Sequence, residues 1–348
     1  MSKISLFILL FFFALSLVGC DCAEGDTTSA FGPCCGDKEE EEDDSGGGGS
    51  GERLLVSDLA NLNLRLFENI TRLESQVETR LPLSGSLTNL TRPAYLTIHP
   101  VNGDLIVADE GTPAILFFKS PSELKGNVPP TRILRGPATE LSGPVQAFVD
   151  AETDELYVLD VPTAQILVYE GASTIEGEVA PRRRLGGGST GISLPSCFFF
   201  RASAGQVSVV TREEILTFDN FKTINGNVPP SGRFGGSNTT FRNVTYAVIT
   251  SQGHLLAVDS GTDQILTFES FQFDRNNQAP TRIVGGANTG LTEPRQFELL
   301  DDALYLANGG EILVFADIST LEGNPFPTRR FSGLNPPTQT LQGLTILR

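Results

Sequence analysis

The feature that most constrains the fold of this chain is a unit of about fifty residues that recurs six times. The copies align on short apolar stretches that read LRLF, ILFF, ILVY, ILTF, ILTF and ILVF and begin at Leu64, Ile115, Ile166, Ile215, Ile265 and Ile312. Their starting points lie 51, 51, 49, 50 and 47 residues apart. One unit of this size cannot bury its apolar faces alone, so the units must pack against one another in a repeat architecture.

Each copy contains four short stretches of strand character, separated by polar or glycine-rich links. In one copy these stretches read PAYLTI, LIVAD, ILFF and TRI. The stretches of the PAYLTI and LIVAD type are apolar on both alternating faces, as expected for strands that are buried on both sides. The arginine-bearing stretch fits the outermost strand, where charge protects an exposed edge. The pattern therefore predicts an all-β protein, a six-bladed β-propeller with four antiparallel strands in each blade.

The first copy is incomplete, and this predicts how the ring closes. The repeat region starts at Arg53–Asp58, which matches the second strand of a blade, and ends at Leu341–Arg348, which matches an innermost strand. Six second strands need six innermost strands. We therefore expect the C-terminal strand to join the N-terminal blade, so that the propeller occupies residues 53–348 and leaves no second domain.

The repeat resembles the NHL type of propeller repeat. Residues 156–169, LYVLDVPTAQILVY, have its Val-x-Asp strand end, short polar link and following apolar strand. Kelch and WD repeats both carry a tryptophan, and this chain has none. The Asn and Arg that usually precede the third NHL strand are replaced by Ala164-Gln165, Asp263-Gln264 or Pro113-Ala114, so the chain is NHL-like.

The first 52 residues have a different character. MSKISLFILLFFFALSLVGC has one lysine and an apolar run, and its ending LVGC resembles the lipobox of bacterial lipoproteins. This resemblance implies a lipoprotein signal peptide over residues 1–19 and a lipid on Cys20; the alternative is an ordinary secretory signal. Residues 20–52 are acidic and glycine-rich, as in a disordered tether. For the remaining cysteines of this tether we favour a local disulfide over a metal site; they are Cys22, Cys34 and Cys35.

These features predict the location and the partners of the protein. It is expected to be exported and lipid-anchored through acylated Cys20 to a bacterial membrane, on the periplasmic side or at the cell surface. The formal net charge of −17 makes nucleic acid an unfavourable partner, because the chain repels phosphate backbones. We expect a monomer.

Candidate ligand-binding residues are those that differ between copies at the mouth of the channel, where the links between strands converge. They are Arg92, Glu293, Arg295 and Arg212. The aspartates that recur at the end of the second strand are instead expected to cap turns; they are Asp58, Asp109, Asp160 and Asp259. His99 and His254 are expected to be surface turn residues on the opposite rim, and Cys197 a buried, inert thiol.

The sequence identifies no catalytic residue and no metal ligand, and it contains no Walker and no H-E-x-x-H motif. We favour a non-enzymatic binding or scaffold module for an envelope protein, peptide or glycan, with no cofactor. The alternative is a calcium-dependent propeller hydrolase, lactonase or lyase acting on a small envelope substrate. Carboxylates and amides converging in the channel would favour the enzyme, and a plugged channel would favour the binding module.

Overall fold

Stretches rich in leucine, isoleucine, valine and phenylalanine, bounded by Gly, Pro, Asn or Asp, form the strands of this protein. The computed structural model describes residues 51–201, 204–269, 271, 276–334 and 336–347, which belong to one unit. The signal peptide, Cys20, Cys22, Cys34, Cys35 and nearly all of the tether lie outside the described residues. Among the described residues, no helix has the length and apolar character needed to cross a membrane.

The strands follow the chain in order. The first four are β1 (Arg53–Asp58), β2 (Asn63–Phe67), β3 (Ser75–Glu78) and β4 (Arg80–Leu83). The next eight are β5 (Pro93–Ile98), β6 (Leu105–Asp109), β7 (Ala114–Phe118), β8 (Arg132–Leu134), β9 (Pro144–Asp150), β10 (Glu155–Asp160), β11 (Gln165–Glu170) and β12 (Arg183–Leu185). They are followed by β13 (Cys197–Arg201), β14 (Gln206–Val210), β15 (Glu214–Asp219), β16 (Gly232–Gly235), β17 (Val244–Ile249), β18 (Leu255–Asp259), β19 (Gln264–Phe268) and β20 (Arg282–Gly285). The last are β21 (Pro294–Leu300), β22 (Ala303–Asn308), β23 (Glu311–Phe315), β24 (Arg329–Leu334) and β25 (Leu341–Leu347).

Six antiparallel sheets form the six blades, as predicted. Blade 1 has the strand order β25-β1-β2-β4 from the channel outwards, and blades 2 to 5 take β5–β8, β9–β12, β13–β16 and β17–β20. Blade 6 contains β21–β24, and β3 adds a fifth, parallel strand to its outer edge. The C-terminal strand pairs with β1 from Arg53↔Leu347 to Asp58↔Leu341, which confirms the predicted closure of the ring.

The core lies between the blades. Strands β6 and β10 are buried along their whole length, because each blade is covered on both faces by its neighbours. Short 3-10 turns follow most outer strands, at Ser86–Thr88, Pro137–Thr139, Gly188–Thr190 and Ala287–Thr289. The threonine that ends each of these turns is fully buried and donates its hydroxyl to the glycine carbonyl three residues before it.

The outer edges of the blades are covered by the chain itself, which corrects the expectation of an exposed edge protected by charge. The amide of Gly177 in blade 3 donates to the carbonyl of Ile133 in blade 2 at 2.7 Å, and its carbonyl accepts from Arg135. Gly126, Gly226 and Gly323 make similar contacts with the preceding blade. The segments that cover the outer edges share a sequence pattern, Gly-Asn or Gly-Glu shortly before a proline. The Asn or Glu side chain accepts a hydrogen bond from a backbone amide of the 3-10 turn in the preceding blade, as Asn227 does from Ser189.

The recurring arginines of the outer strands join neighbouring blades. The guanidinium of Arg132 donates to the carbonyls of Ala172 and Ile175 in the next blade, at 3.1 and 2.9 Å. Arg80, Arg183 and Arg329 donate to the next blade in the same way. Arg282 pairs instead with Glu269 in its own blade. These arginines are structural residues, as the sequence indicated, and four of the five bind the next blade.

A buried ion pair lies at the closure of the ring. Arg65 in β2 occupies the position that is leucine in the other five blades, and its Nε lies 3.2 Å from Asp58 Oδ2, both side chains being fully buried. The same guanidinium donates to the hydroxyl of Thr79 and the carbonyl of Leu334, at the end of blade 6. It therefore connects the first and the last blades of the ring.

Candidate functional site

The candidate residues lie at the end of the ring where the innermost strands begin. The aspartates that end the second strands organise this rim. Both carboxylate oxygens of Asp109 accept backbone N–H groups, from Thr91 at 2.8 Å, Arg92 at 3.0 Å and Thr112 at 3.2 Å. Asp160 and Asp259 bind equivalent groups in blades 3 and 5. The predicted capping role is confirmed, and it extends to the link that leads into the innermost strand.

A cavity of about 260 Å³ opens at the centre of this rim. All six blades contribute to its wall, because the first residues of the innermost strands surround it. Its lining consists of Tyr95, Val145, Val161, Leu194, Pro195, Ser196, Arg212, Asn243, Val244, Thr245, Arg295 and Gln342. We call it the mouth cavity.

Two of the four predicted ligand-face residues line the mouth cavity. Arg212 is exposed, and its carbonyl accepts from the amide of Val244 at 3.0 Å, which fixes the loop beside the innermost strand of blade 5. Arg295 belongs to β21 and is half-buried. Blades 4 and 6, which carry these two arginines, are the neighbours of blade 5 on either side. Comparison of the copies therefore identified both cationic residues of the cavity.

The other two predicted residues lie at the same rim, outside the cavity lining. The Nε of Arg92 lies 3.2 Å from Glu110 in the neighbouring loop of its own blade. Burial raises the pKa of Glu110, and the nearby charge of Arg92 opposes that rise. The carboxylate of Glu293 is 3.6 Å from Arg295, with 77% of its side chain exposed. The structure thus places all four at one rim but only Arg212 and Arg295 in one cavity.

The floor of the mouth cavity is a tyrosine that crosses the channel. Tyr95 stands on blade 2, and its hydroxyl donates to the backbone carbonyl of Thr245 on blade 5, the opposite blade, at 3.2 Å. The ring of Tyr246 packs edge-on against it, with the ring centroids 5.8 Å apart. Burial raises the pKa of both phenols well above their ordinary value. Sequence analysis missed this pair, because nothing local marks a side chain that reaches across the ring.

A second cavity of about 260 Å³ lies below this floor, and Tyr95 lines it as well. The side chains here satisfy the backbone groups of the innermost strands, which have no strand partner on the channel side. The amide of Gln146 exchanges two hydrogen bonds with the backbone of Phe198 in the next blade, and Gln296 accepts from the amide of Leu344. The channel is therefore divided by the tyrosines and tied together by polar side chains.

The remaining sequence candidates have defined environments. Cys197 is fully buried, and burial raises the pKa of its thiol to about 12, which agrees with the predicted inert thiol. The expectation of a surface residue is wrong for His99, whose side chain is buried. Its Nδ1 accepts the amides of Val101 and Asn102 and closes its own turn, while Nε2 lies 3.5 Å from Asp154.

His254 lies at the rim opposite the mouth, as expected. It is half-buried and lines a cavity of about 410 Å³ between blades 5 and 6, together with Arg282 and Thr267. Across residues 51–347, leaving aside the gaps given above, no three side chains of His, Cys, Asp or Glu group in a way that would hold a metal ion.

Comparison with known proteins finds no matching family model and no matching curated protein. Solved structures are similar, and one is a chain of the crystal structure of a nidogen/laminin complex. It is 14% identical to this chain with a TM-score of 0.60, over 85% of this chain and 98% of that one. Another is a protein of unknown function from Bacteroides caccae, 11% identical with a TM-score of 0.56, over 86% of this chain and 100% of that one. At these identities the likeness establishes a shared propeller fold.

Proposed function

We propose that this protein is an exported, lipid-anchored binding module, a non-enzymatic scaffold whose propeller holds an envelope protein, peptide or glycan at the mouth cavity. The observation that carries the proposal is the direction in which the chain enters the ring. Strand β1 begins at Arg53, where it pairs with Leu347, and ends at Asp58, at the mouth rim. The tether therefore joins the propeller at the rim opposite the mouth.

This geometry fits a surface-anchored receptor. The six residues of β1 span roughly 17 Å at about 3.3 Å per residue, so the mouth lies at least that far from the attachment point of the tether. The acidic, glycine-rich tether joins the propeller at Arg53, so its attachment does not obstruct the mouth. Stable anchoring by two or more acyl chains is what acylation of Cys20 supplies.

The closed channel supports binding over catalysis at this site. The Tyr95 hydroxyl is engaged with Thr245, and the mouth cavity is lined by arginines, amides, hydroxyls and apolar side chains. A shallow cavity of this kind suits recognition of part of a larger molecule. The propeller in the nidogen/laminin complex is a fold relative found in a protein complex, which is consistent with this use.

Site-resolved photocrosslinking in the native envelope tests the proposal. A photoreactive residue replaces Leu194, which is 55% exposed at the mouth, and in a matched control replaces Val101, which is 71% exposed at the opposite rim. We expect a discrete crosslinked partner from position 194 and none from position 101. Equal crosslinking from both positions, or none from position 194, would contradict binding at the mouth.

Two further measurements test the anchor and the alternative enzyme. Cys20→Ser is expected to move the protein from the membrane to the soluble fraction, whereas an unchanged distribution would contradict lipid anchoring. A thermal melt with calcium and then with EDTA is expected to show no shift; a shift of several degrees would favour a calcium-dependent hydrolase, lactonase or lyase.

A further inference from the structure

We infer that the mouth cavity binds the carboxylate of a peptide, with an apolar side chain of the same peptide packed beside it. The inference rests on the proposed function and names the class of ligand. A free C-terminus and an acidic side chain present the same carboxylate, so both sources are tested below.

The charge of the cavity is opposite to the charge of the chain. The protein has 42 acidic and 25 basic residues, yet the twelve residues that line the mouth cavity include two arginines and no carboxylate. The acidic residue paired with Arg295 is Glu293, which lies 3.6 Å away and is mostly in solvent, so the ion pair is weak and Arg295 can exchange it for a ligand carboxylate. The cavity is a local positive site on an acidic protein, and such a site attracts anions.

Free hydrogen-bond donors converge on the same space. Within the described part of the chain, neither the guanidinium of Arg212 nor the side-chain amide of Gln342 has a hydrogen bond or an ion pair, and both line the cavity. The hydroxyl of Thr245 and the amide of Asn243 are already engaged, with Pro294 and Ser260. The donors available to a ligand are therefore Arg212, Arg295 and Gln342, from blades 4, 6 and 1. Planar guanidinium groups match the two oxygens of a carboxylate.

The other part of the wall is apolar. Val145, Val161 and Pro195 face the cavity from blades 3 and 4, and Leu194 projects beside them with 55% of its surface exposed. Leu194 also has a φ of 47°, in the left-handed region that leucine rarely adopts. Glu293 has a φ of 51° at the equivalent position of blade 6, so the conformation belongs to the repeat, and blade 4 differs in placing an exposed apolar side chain there.

Cationic donors beside an apolar wall favour a peptide over a glycan. A sulfated sugar supplies the anion but has no large aliphatic side chain to cover Leu194. A cavity of about 260 Å³ is small for a whole ligand and suits the end of a peptide or one acidic residue with its neighbour.

Fluorescence anisotropy on the mature full-length protein tests the inference with matched probes. The first pair is the fluorescein-labelled peptide GSGLL with a free C-terminal carboxylate and the same peptide as its amide. The second pair, both amidated, is GSLEG and GSLQG. We expect binding of GSGLL acid, GSLEG or both, and affinity roughly tenfold or more weaker for the uncharged member of that pair. Which pair responds identifies the source of the carboxylate.

Three variants test whether binding depends on the mouth cavity itself and not on the overall charge of the protein. Arg212→Gln with Arg295→Gln is expected to abolish the preference for the charged probe, and Leu194→Ser to weaken both members of a pair. Arg72→Gln with Lys125→Gln, exposed residues on the blade 1 and blade 2 loops of the opposite rim, removes the same charge and is expected to leave affinity unchanged. A sulfated disaccharide is expected not to compete at the concentration of the peptide.

The outcomes distinguish this inference from the proposed function. If no probe binds while position 194 still crosslinks an envelope partner, the carboxylate inference is wrong and the binding module stands. Binding that ignores the carboxylate, that survives loss of both cavity arginines, or that the disaccharide displaces equally well overturns the inference too. If position 194 crosslinks nothing, the proposed function itself fails.

Discussion

The buried ion pair at the ring closure allows a quantitative prediction, because removing Asp58 and removing Arg65 are expected to cost different amounts of unfolding free energy. The guanidinium of Arg65 is fully buried, and Asp58 is its acidic partner among the described residues. Replacing Asp58 with Asn keeps the shape, since blade 6 has Asn308 at the equivalent position, where its side-chain oxygen accepts from Thr292. The Asp58→Asn variant therefore removes the negative charge and leaves a buried cation. Breaking a buried pair in this way costs about 3–5 kcal/mol in the free energy of unfolding.

Removing the other partner, Arg65, is expected to lower the free energy of unfolding much less. Arg65→Leu introduces the residue that the other five blades carry at this position. Asp58 then keeps hydrogen bonds from Asn61, through its backbone at 3.3 Å and its amide at 2.7 Å. Asp109 is held by backbone N–H groups with no buried arginine beside it. We expect Arg65→Leu to change the free energy of unfolding by no more than about 1 kcal/mol, in either direction.

Equilibrium urea unfolding, followed by circular dichroism, measures both effects and their coupling. At a slope of roughly 3 kcal/mol per molar urea, Asp58→Asn lowers the midpoint by about 1–2 M, and the double variant recovers most of that loss. Equal losses from the two single variants, or a double variant as unstable as Asp58→Asn, would refute the reasoning. Either result would mean that Arg65 stabilises the closure in its own right.

Three further predictions concern packing and burial. Gly343→Ala is expected to displace the C-terminal strand, because its new Cβ would lie 2.4 Å from the carbonyl oxygen of Ala94. Limited proteolysis should therefore release β25 from this variant. The control is Gly188→Ala, whose new Cβ lies in open space and which should resist proteolysis like the native protein. Burial raises the pKa of Cys197 to about 12, so this thiol should react with a disulfide reagent at about pH 8 only after denaturation. The test uses a chain that starts at residue 51, and fast labelling of the native protein would contradict the burial of Cys197. Burial raises the pKa of four of the five tyrosines, namely Tyr95, Tyr157, Tyr169 and Tyr246. Above pH 10 the unfolded chain loses phenolic protons that the folded chain retains, so the free energy of unfolding should fall as pH rises. The absorbance of four tyrosinates should appear together with unfolding, and the appearance of more than one before unfolding would contradict these raised pKa values.

Much of the fold was predictable from the sequence, because it depends on interactions that repeat. The 50-residue period, four strands per unit, and the match of Leu341–Arg348 to an innermost strand led to six blades and to the closure that the structure has. The capping aspartates were predictable for the same reason, since Asp109 binds backbone groups close to it in its own blade. Differences between copies pointed to Arg212 and Arg295, since a residue that departs from the repeat is not required by the blade.

Only the tertiary structure determined the rest, and the reason is that these contacts join residues far apart in the chain. The Tyr95 hydroxyl meets the Thr245 carbonyl 150 residues away because blades 2 and 5 face each other across the ring. His99 is buried, and its Nε2 lies 3.5 Å from Asp154 in the next blade, a contact that no local pattern around His99 specifies. The mouth cavity exists because six innermost strands start at one rim, and its charge and its apolar wall are properties of that assembly. Local sequence determines a blade, whereas the geometry of the closed ring determines what the blades present together.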